Sequence, residues 1–364
     1  MDLKGILMTG LILFLIFLVS GCSSNTSDIT GEAIGVNIQK IKIGALLPLT
    51  GDKSVYGENV KRGIELAQKE ISFDVLYEDS KCNYQEAILA IQKLIENNVD
   101  VIIGELCSSA TLAVSQIAKE AGITLISPAS TSSDLTDEGD HFFRTVPSDT
   151  IQGKKAAELI QERGYKNLAV LYINDDYGIG LEKILRENFP NIVASESFSR
   201  DSDVTAQLTS IKKSNPDAIY IISNSPISAG RAIKQIKELG ITAQIFGSDG
   251  LKDNSVLTAA EGAAEGIFLT SLANSNTLIG KQFVNKYKKN YGSDPGVFAA
   301  EAYDAMVAIE EAAKNSDRSH QGIMHAMNEV KFEGASGLIA FDHNGDVLKS
   351  FTTVKVINGQ FVEL

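Results

Sequence analysis

From Ile41 onward, short apolar β-type runs alternate with helical stretches, and this rhythm constrains the fold more than any other feature of the chain. The runs include Ile41–Leu47, Phe73–Glu78, Val101–Gly104, Ile123–Ser127, Leu168–Ile173, Ala218–Ser223 and Gln244–Gly247. Helical patterns such as Asn59–Ile71, Tyr84–Asn97 and Thr111–Ala121 lie between them. Several runs are apolar almost throughout, as strands are when both faces of a parallel sheet are covered. Strand, helix and strand in this order predict βαβ units with right-handed crossovers. The rhythm runs twice, over about 41–146 and again after Arg144-Thr145-Val146-Pro147, which reads as a crossover. The last part differs, with long helices at about 277–291 and 297–315 and short strands around Leu338–Phe341 and Thr352–Ile357. Periodicity thus predicts an α/β protein with two layers. It only suggests the three hinge strands of a chain that returns and crosses again.

The first 22 residues carry a different message. Lys4 precedes an apolar run from Ile6 to Val19, broken by Thr9 and Gly10, and the segment ends Leu18-Val19-Ser20-Gly21-Cys22. Charge, apolar run, small residues and cysteine make a secretory signal with a lipoprotein-type cleavage site. The run is short for a spanning helix, which needs about 20 apolar residues. Resemblance to the lipobox of exported lipoproteins implies that residues 1–21 are removed and that Cys22 carries the lipid. The alternative is a plain membrane anchor that contains a cysteine. Either places the rest of the chain outside the cytoplasm. Residues 23–40 lack a sustained period, so 22–40 read as a lipid anchor and flexible tether, reaching roughly 20–25 Å.

What remains is long enough for two lobes, with 44% hydrophobic and 22% charged residues over the whole chain, as in ordinary soluble proteins. The net charge of −13 repels nucleic acid and anionic headgroups, which excludes both as partners and leaves the lipid as the one membrane contact. Apart from Cys22 the cysteines are Cys82 and Cys107, an even pair in an exported chain, either bonded or two buried thiols. The four histidines give no zinc pattern, since His320 and His325, five apart, lie on different helix faces.

Three loops carry the binding chemistry. GELCSSAT, Gly104 to Thr111, follows a buried strand and precedes an amphipathic helix, which puts Ser108 and Ser109 at a helix N-terminus. Free N–H groups there, with a hydroxyl added, suit a carboxylate or phosphate; an ordinary serine cap fits the same residues. SPASTSSDLT, Ser127 to Thr136, follows the next strand, and neighbouring strand ends in an open α/β sheet face one crevice. GSDG, Gly247 to Gly250, sets Asp249 between close-packing glycines at a strand end of the second set. Tyr56, Tyr177 and Tyr303 stand at loops or helix starts, where an aromatic wall or plain core packing would each place them.

Together IGALLPLTGDKSVYGENVKRGIELA, YEDSKCNYQEAI, VIIGELCSSAT, LISPASTSSDLT, FFRTVPSD, DDYGIGL and IFGSDG resemble the periplasmic leucine/isoleucine/valine-binding proteins, the type I substrate-binding proteins of ABC importers. The resemblance covers residues 41–364 in the family's motif order. It implies two Rossmann-like lobes joined by three crossover strands, with 41–147 plus 274–333 forming the first lobe and 148–273 plus 334–364 the second. It implies that Ser108, Ala129 and Thr131 grip the α-carboxylate of an amino acid and that Asp249 pairs with its ammonium. Tyr177 would lie at the ligand, Tyr56 and Tyr303 near its side chain, and Cys82 and Cys107 would form the family disulfide.

Two positions depart from the family. Asp249 stands where those proteins have glutamate, and Asn224 stands near a family tyrosine, with Ser223 the alternative equivalent. No G-x-S-x-G, Walker lysine or dinucleotide glycine set occurs, and DHNGD, Asp342 to Asp346, lacks the rest of a calcium loop. The resemblance therefore implies a monomeric, cofactor-free binding protein that delivers a small neutral, branched-chain-type amino acid to ABC permease subunits. A short amide, urea or an aromatic acid as ligand, or a sensory role, are the alternatives.

Overall fold

The structure, a computed structural model, describes residues 40–136, 138–273 and 276–364. The expected signal segment, Cys22 and all of the expected tether but Lys40 lie outside the described residues. The first sheet takes β1 (Lys42–Leu47), β2 (Asp74–Asp79), β3 (Val101–Gly104), β4 (Thr124–Ser127) and β5 (Phe142–Arg144), all parallel, in the order β2-β1-β3-β4-β5. Helices cover both faces because their apolar stripes recur at helical spacing. In Tyr84–Glu96 the buried residues are Ala87, Ala90, Ile91 and Leu94, and Asn83 caps the first turn through the N–H groups of Gln85 and Glu86. The βαβ reading of the apolar runs holds here for β1 to β4, while β5, too short to leave a run of its own, was not among them.

The second sheet orders β14-β13-β10-β9-β8-β6-β7, from β6 (Leu168–Ile173), β7 (Ile192–Phe198), β8 (Ala218–Ile222), β9 (Gln244–Gly247), β10 (Phe268–Leu272), β13 (Phe351–Ile357) and β14 (Gln360–Glu363). Its first five strands are parallel, and β13 and β14 extend it antiparallel to β10 and to each other. β8, AIYII, is buried at every position, as a central strand must be. The chain passes between the sheets after β5, after β10, and again before β13. Between the last two passages come helices Leu278–Tyr291, Ala299–Lys314 and His320–Met327 and the hairpin of β11 (Lys331–Gly334) and β12 (Gly337–Ala340). Ile339, Phe341 and Val347 sit in the core of the first sheet although the next strand joins the second. Among the described residues no helix is long and apolar enough to cross a membrane.

Arg144, at the end of β5 and the largest fully buried side chain, ties the first passage to the last. Its Nε donates to Asp346 Oδ1 at 2.6 Å and its Nη2 to Asp346 Oδ2 at 2.9 Å. It also donates to the carbonyl of Ser132 at 2.7 Å and the hydroxyl of Thr136 at 2.7 Å, so one guanidinium fixes the loop after β4. Cys82 and Cys107 form a disulfide, with Cα atoms 5.5 Å apart, between the start of one helix and the residue before another. Removing one partner of a buried ion pair strands the other charge. Asp346→Ala is therefore expected to cost about 3–5 kcal/mol in urea unfolding; a loss under about 1 kcal/mol would mean that water satisfies Arg144.

Candidate functional site

The six loops at the carboxyl ends of β1, β3 and β4 in one sheet and β6, β8 and β9 in the other meet across a cleft, as open α/β sheets place their ligands. From the first sheet come Tyr56, in helix Ser54–Ala67 after β1, and Ser108, the first residue of helix Ser108–Glu120 after β3. Ala129 and Thr131 come from the loop after β4. Gly104 makes the β3 turn possible: at φ +121° its missing Cβ would lie 2.1 Å from the carbonyl oxygen of Leu46. Ser108 is buried and its hydroxyl accepts from the Ser132 N–H at 3.3 Å. Its helix presents free N–H groups at the same end. Carboxylate chemistry is what this corner offers.

From the second sheet come Tyr177, after β6, Asn224, after β8, and Asp249, after β9. Asp249 is buried and its Oδ1 accepts from Tyr177 Oη at 2.8 Å and Gln152 Nε2 at 3.0 Å. Burial pushes the Asp249 carboxyl above its usual range, while those two donors pull the other way. Behind it, Asp149 is fully buried, with the Thr131 side chain and Arg144 the groups that favour its charged form. Burial, then the neighbouring Asp249, drives Asp149 well above the carboxylate range. The corner sets two buried carboxyls near each other.

Tyr56, Ser108, Ala129, Thr131, Tyr177, Asn224 and Asp249 line one cavity of about 40 Å³, which Leu106 and Phe298 help to wall. A larger hollow of about 600 Å³ lies beyond Asp249 and Phe298, lined in part by Lys252, Ser271, Glu301 and Ser336. Tyr303 does not line the small cavity. Its ring packs edge-on against Phe283 and its hydroxyl donates to Glu70 at 3.0 Å. Phe298, at the start of the same helix, takes the cavity position, and five helical residues later the side chain faces another way. Asn224 turns its Nδ2 to Asp175 Oδ2 at 2.8 Å, and Tyr56 Oη reaches the carbonyl of Gly250 at 3.5 Å.

Sequence reasoning missed Lys53, Glu105, Gln152 and Phe298. Glu105 lies inside the quoted GELCSSAT loop, where an acid between a buried strand and a cysteine was the available signal. Nothing local marks Gln152. Glu105 accepts from Ser80 Oγ and the Cys107 N–H, both at 2.5 Å, while its own carbonyl accepts from Ser127 and Ser130 hydroxyls at 2.6 and 3.1 Å. It braces both loops of the carboxylate corner. The sulfurs beside it bond each other, which leaves no thiolate to hold a metal.

A family model for the receptor family ligand binding region matches residues 60–358. The chain belongs to that family. Within it, the chain is 27% identical over 331 residues to the leucine-, isoleucine-, valine-, threonine- and alanine-binding protein of Pseudomonas aeruginosa, covering 85% of this chain and 88% of that protein. Among solved structures it resembles the leucine-binding protein LivK of Thermotoga maritima, 30% identical, with a TM-score of 0.84 over 89% of this chain and 97% of that one. The branched-chain amino acid transporter substrate-binding protein LivJ of Streptococcus pneumoniae, in complex with isoleucine, is 28% identical, with a TM-score of 0.82 over 90% and 100% of the two chains. The architecture is that of the type I periplasmic binding proteins.

Burial lifts the Glu105 carboxyl from 4.5 to about 7 against the pull of Ser80 and the Cys107 N–H. An acid raised by folding stabilises below its unfolded value and loses that contribution as pH rises through its folded value. Stability from this group is expected to fall by roughly 3 kcal/mol between about pH 4.5 and 7. Glu105→Gln should flatten that part of the pH profile in urea titrations; an unchanged slope would show that Glu105 is charged when folded.

Proposed function

We propose that this chain is an extracytoplasmic solute-binding protein, anchored through lipid on Cys22, that captures a small neutral amino acid between two lobes and hands it to an ABC permease. Residues 41–147 with 274–333 act as one lobe and 148–273 with 334–364 as the other, and the protein works as a monomer. Ser108, Ala129 and Thr131 hold the ligand α-carboxylate. Asp249, with Tyr177 beside it, takes the ammonium, and Tyr56, Leu106, Phe298 and Asn224 enclose the side chain. The observation that carries this reading is the pairing of opposite chemistries in one cavity, a hydroxyl and N–H corner from one sheet facing a buried carboxylate from the other.

The physics supports it. A buried zwitterion needs both charges met, since an unpaired buried ion costs several kcal/mol. Charge-assisted hydrogen bonds of about 1.5–3 kcal/mol each, less ordering costs, reach the roughly −8 kcal/mol of micromolar binding. Because the two halves sit on different lobes, the ligand binds the closed form better and shifts the equilibrium toward it. The cavity is lined from both sheets, which supports entry by lobe opening. The relatives that bind leucine, isoleucine, valine, threonine and alanine support a ligand of that size and charge.

Titration calorimetry on residues 23–364, refolded to strip carried ligand, tests the reading. Leucine, isoleucine, valine and alanine, with acetamide and urea as controls, form the panel. One amino acid is expected to bind at micromolar strength or tighter and to lose binding without its amino group. Binding of an amide alone would overturn the ligand class and leave the fold. Ser108→Ala and Asp249→Asn are each expected to weaken binding by about 1.5–3 kcal/mol, and wild-type affinity in both would move the site elsewhere. Since protonation removes the Asp249 charge, and burial raises the pH at which that happens, affinity should fall on acidification before ordinary carboxylates titrate.

A further inference from the structure

We propose that Lys53 sets how tightly the cleft holds its ligand, because closing the lobes must bury its cation; removing the lysine tightens binding, and removing its acceptor Asn224 loosens it. The inference rests on the cleft being a clamp that closes. Lys53 stands just before helix Ser54–Ala67 of the first lobe and is 1% exposed. Its Nζ crosses to the second lobe and donates to both the carbonyl oxygen and Oδ1 of Asn224, 171 residues away. The Asn224 amide is held in that orientation by its Nδ2, which donates to Asp175.

Both acceptors are neutral. An ammonium has three donors, and among the described residues no carboxylate stands within ion-pairing distance of this one. The charged groups facing it are Asp52 and Glu105 from the first lobe and Asp175 and Arg200 from the second. Arg200 is itself paired with Asp52 across the cleft at 3.3 Å. The Tyr56 ring centre lies 6.0 Å from Nζ. Burial drives the lysine well below its usual range, Arg200 adds to the shift, and the three carboxylates only partly resist. With the lobes apart, water would solvate the ammonium; closure exchanges that shell for two amide oxygens. A buried charge without an ionic partner opposes the state that buries it.

Lys53 does not line the cavity, whereas Asn224 and Tyr56 do, so it acts on the ligand as a positioning residue. Its consequence is proton linkage. The closed form holds the lysine proton less firmly than the open form, so capture releases protons and tightens as pH rises.

The test compares wild type, Lys53→Met, Asn224→Ala and the double variant by titration calorimetry with the amino acid that wild type binds best. Inter-lobe distances, from pulsed electron resonance between one spin label on each lobe, are measured without ligand. Lys53→Met should bind about tenfold tighter or more, and its ligand-free distance distribution should shift toward the short, closed separation. Asn224→Ala should bind about tenfold more weakly in the wild-type background and lose much of that effect when Lys53 is methionine. In buffers of different ionisation enthalpy, wild type should release protons on binding and Lys53→Met should release fewer. Lys53→Gln keeps a neutral donor for Asn224 and should also tighten binding, which serves if methionine impairs folding. Equal or weaker binding by Lys53→Met, or an unchanged distance distribution, overturns the proposal. Should wild type bind no amino acid, the ligand assignment fails, while the distance distribution still decides the role of Lys53.

Discussion

One buried guanidinium holds together the parts that matter most. Arg144 reaches Asp346 near the last passage between the sheets and, at the same time, the backbone and hydroxyl of the Ser127–Thr136 loop. A guanidinium suits this post because its planar fork stays charged and bonds in several directions at once. The loop it fixes carries Ala129 and Thr131, and Ser132 of that loop donates to Ser108. Polar loop, helix end and chain crossover therefore share one electrostatic anchor. Without it the carboxylate corner would be a loose serine-rich loop.

The opposite wall is built on a different principle. Asp249 is framed by neutral donors, Tyr177 and Gln152, and backed by Asp149, whose carboxyl burial pushes well above its usual range. Two buried carboxyls so close together each make the other harder to ionise. Lys53 adds a cation at the edge of the same cleft, held by amide oxygens rather than by an acid. A clamp of the kind proposed would balance attraction for its ligand against the cost of shutting.

Much of this was readable beforehand, and for physical reasons. The parallel strands were legible because strands buried on both faces leave long apolar runs, and the loops because hydroxyl and glycine clusters sit where strands end. Ser108, Ala129, Thr131, Asp249, Tyr177, Tyr56 and Asn224 do come to one cavity. Tyr303 does not, since the choice between helix faces depends on where Ala299–Lys314 packs, and its own pattern leaves two faces apolar. The first passage was readable at Arg144–Pro147, but the other two were only suggested, because long-range contacts such as Arg144 with Asp346 define them. Lys53 was invisible as a buried residue, because a lysine beside a glycine turn ordinarily stays in water.

The glycine at 250 carries a further implication. A Cβ there would lie 2.2 Å from the carbonyl oxygen of Ser223, so the turn bearing Asp249 rests directly on the strand end that leads into Asn224. Backbone touches backbone, with no side chain between to give way. The acid and the amide of this wall thus share one tightly packed backbone support. Side chains at 224 and 249 can therefore be exchanged in place, whereas reshaping the turn itself would disturb both at once.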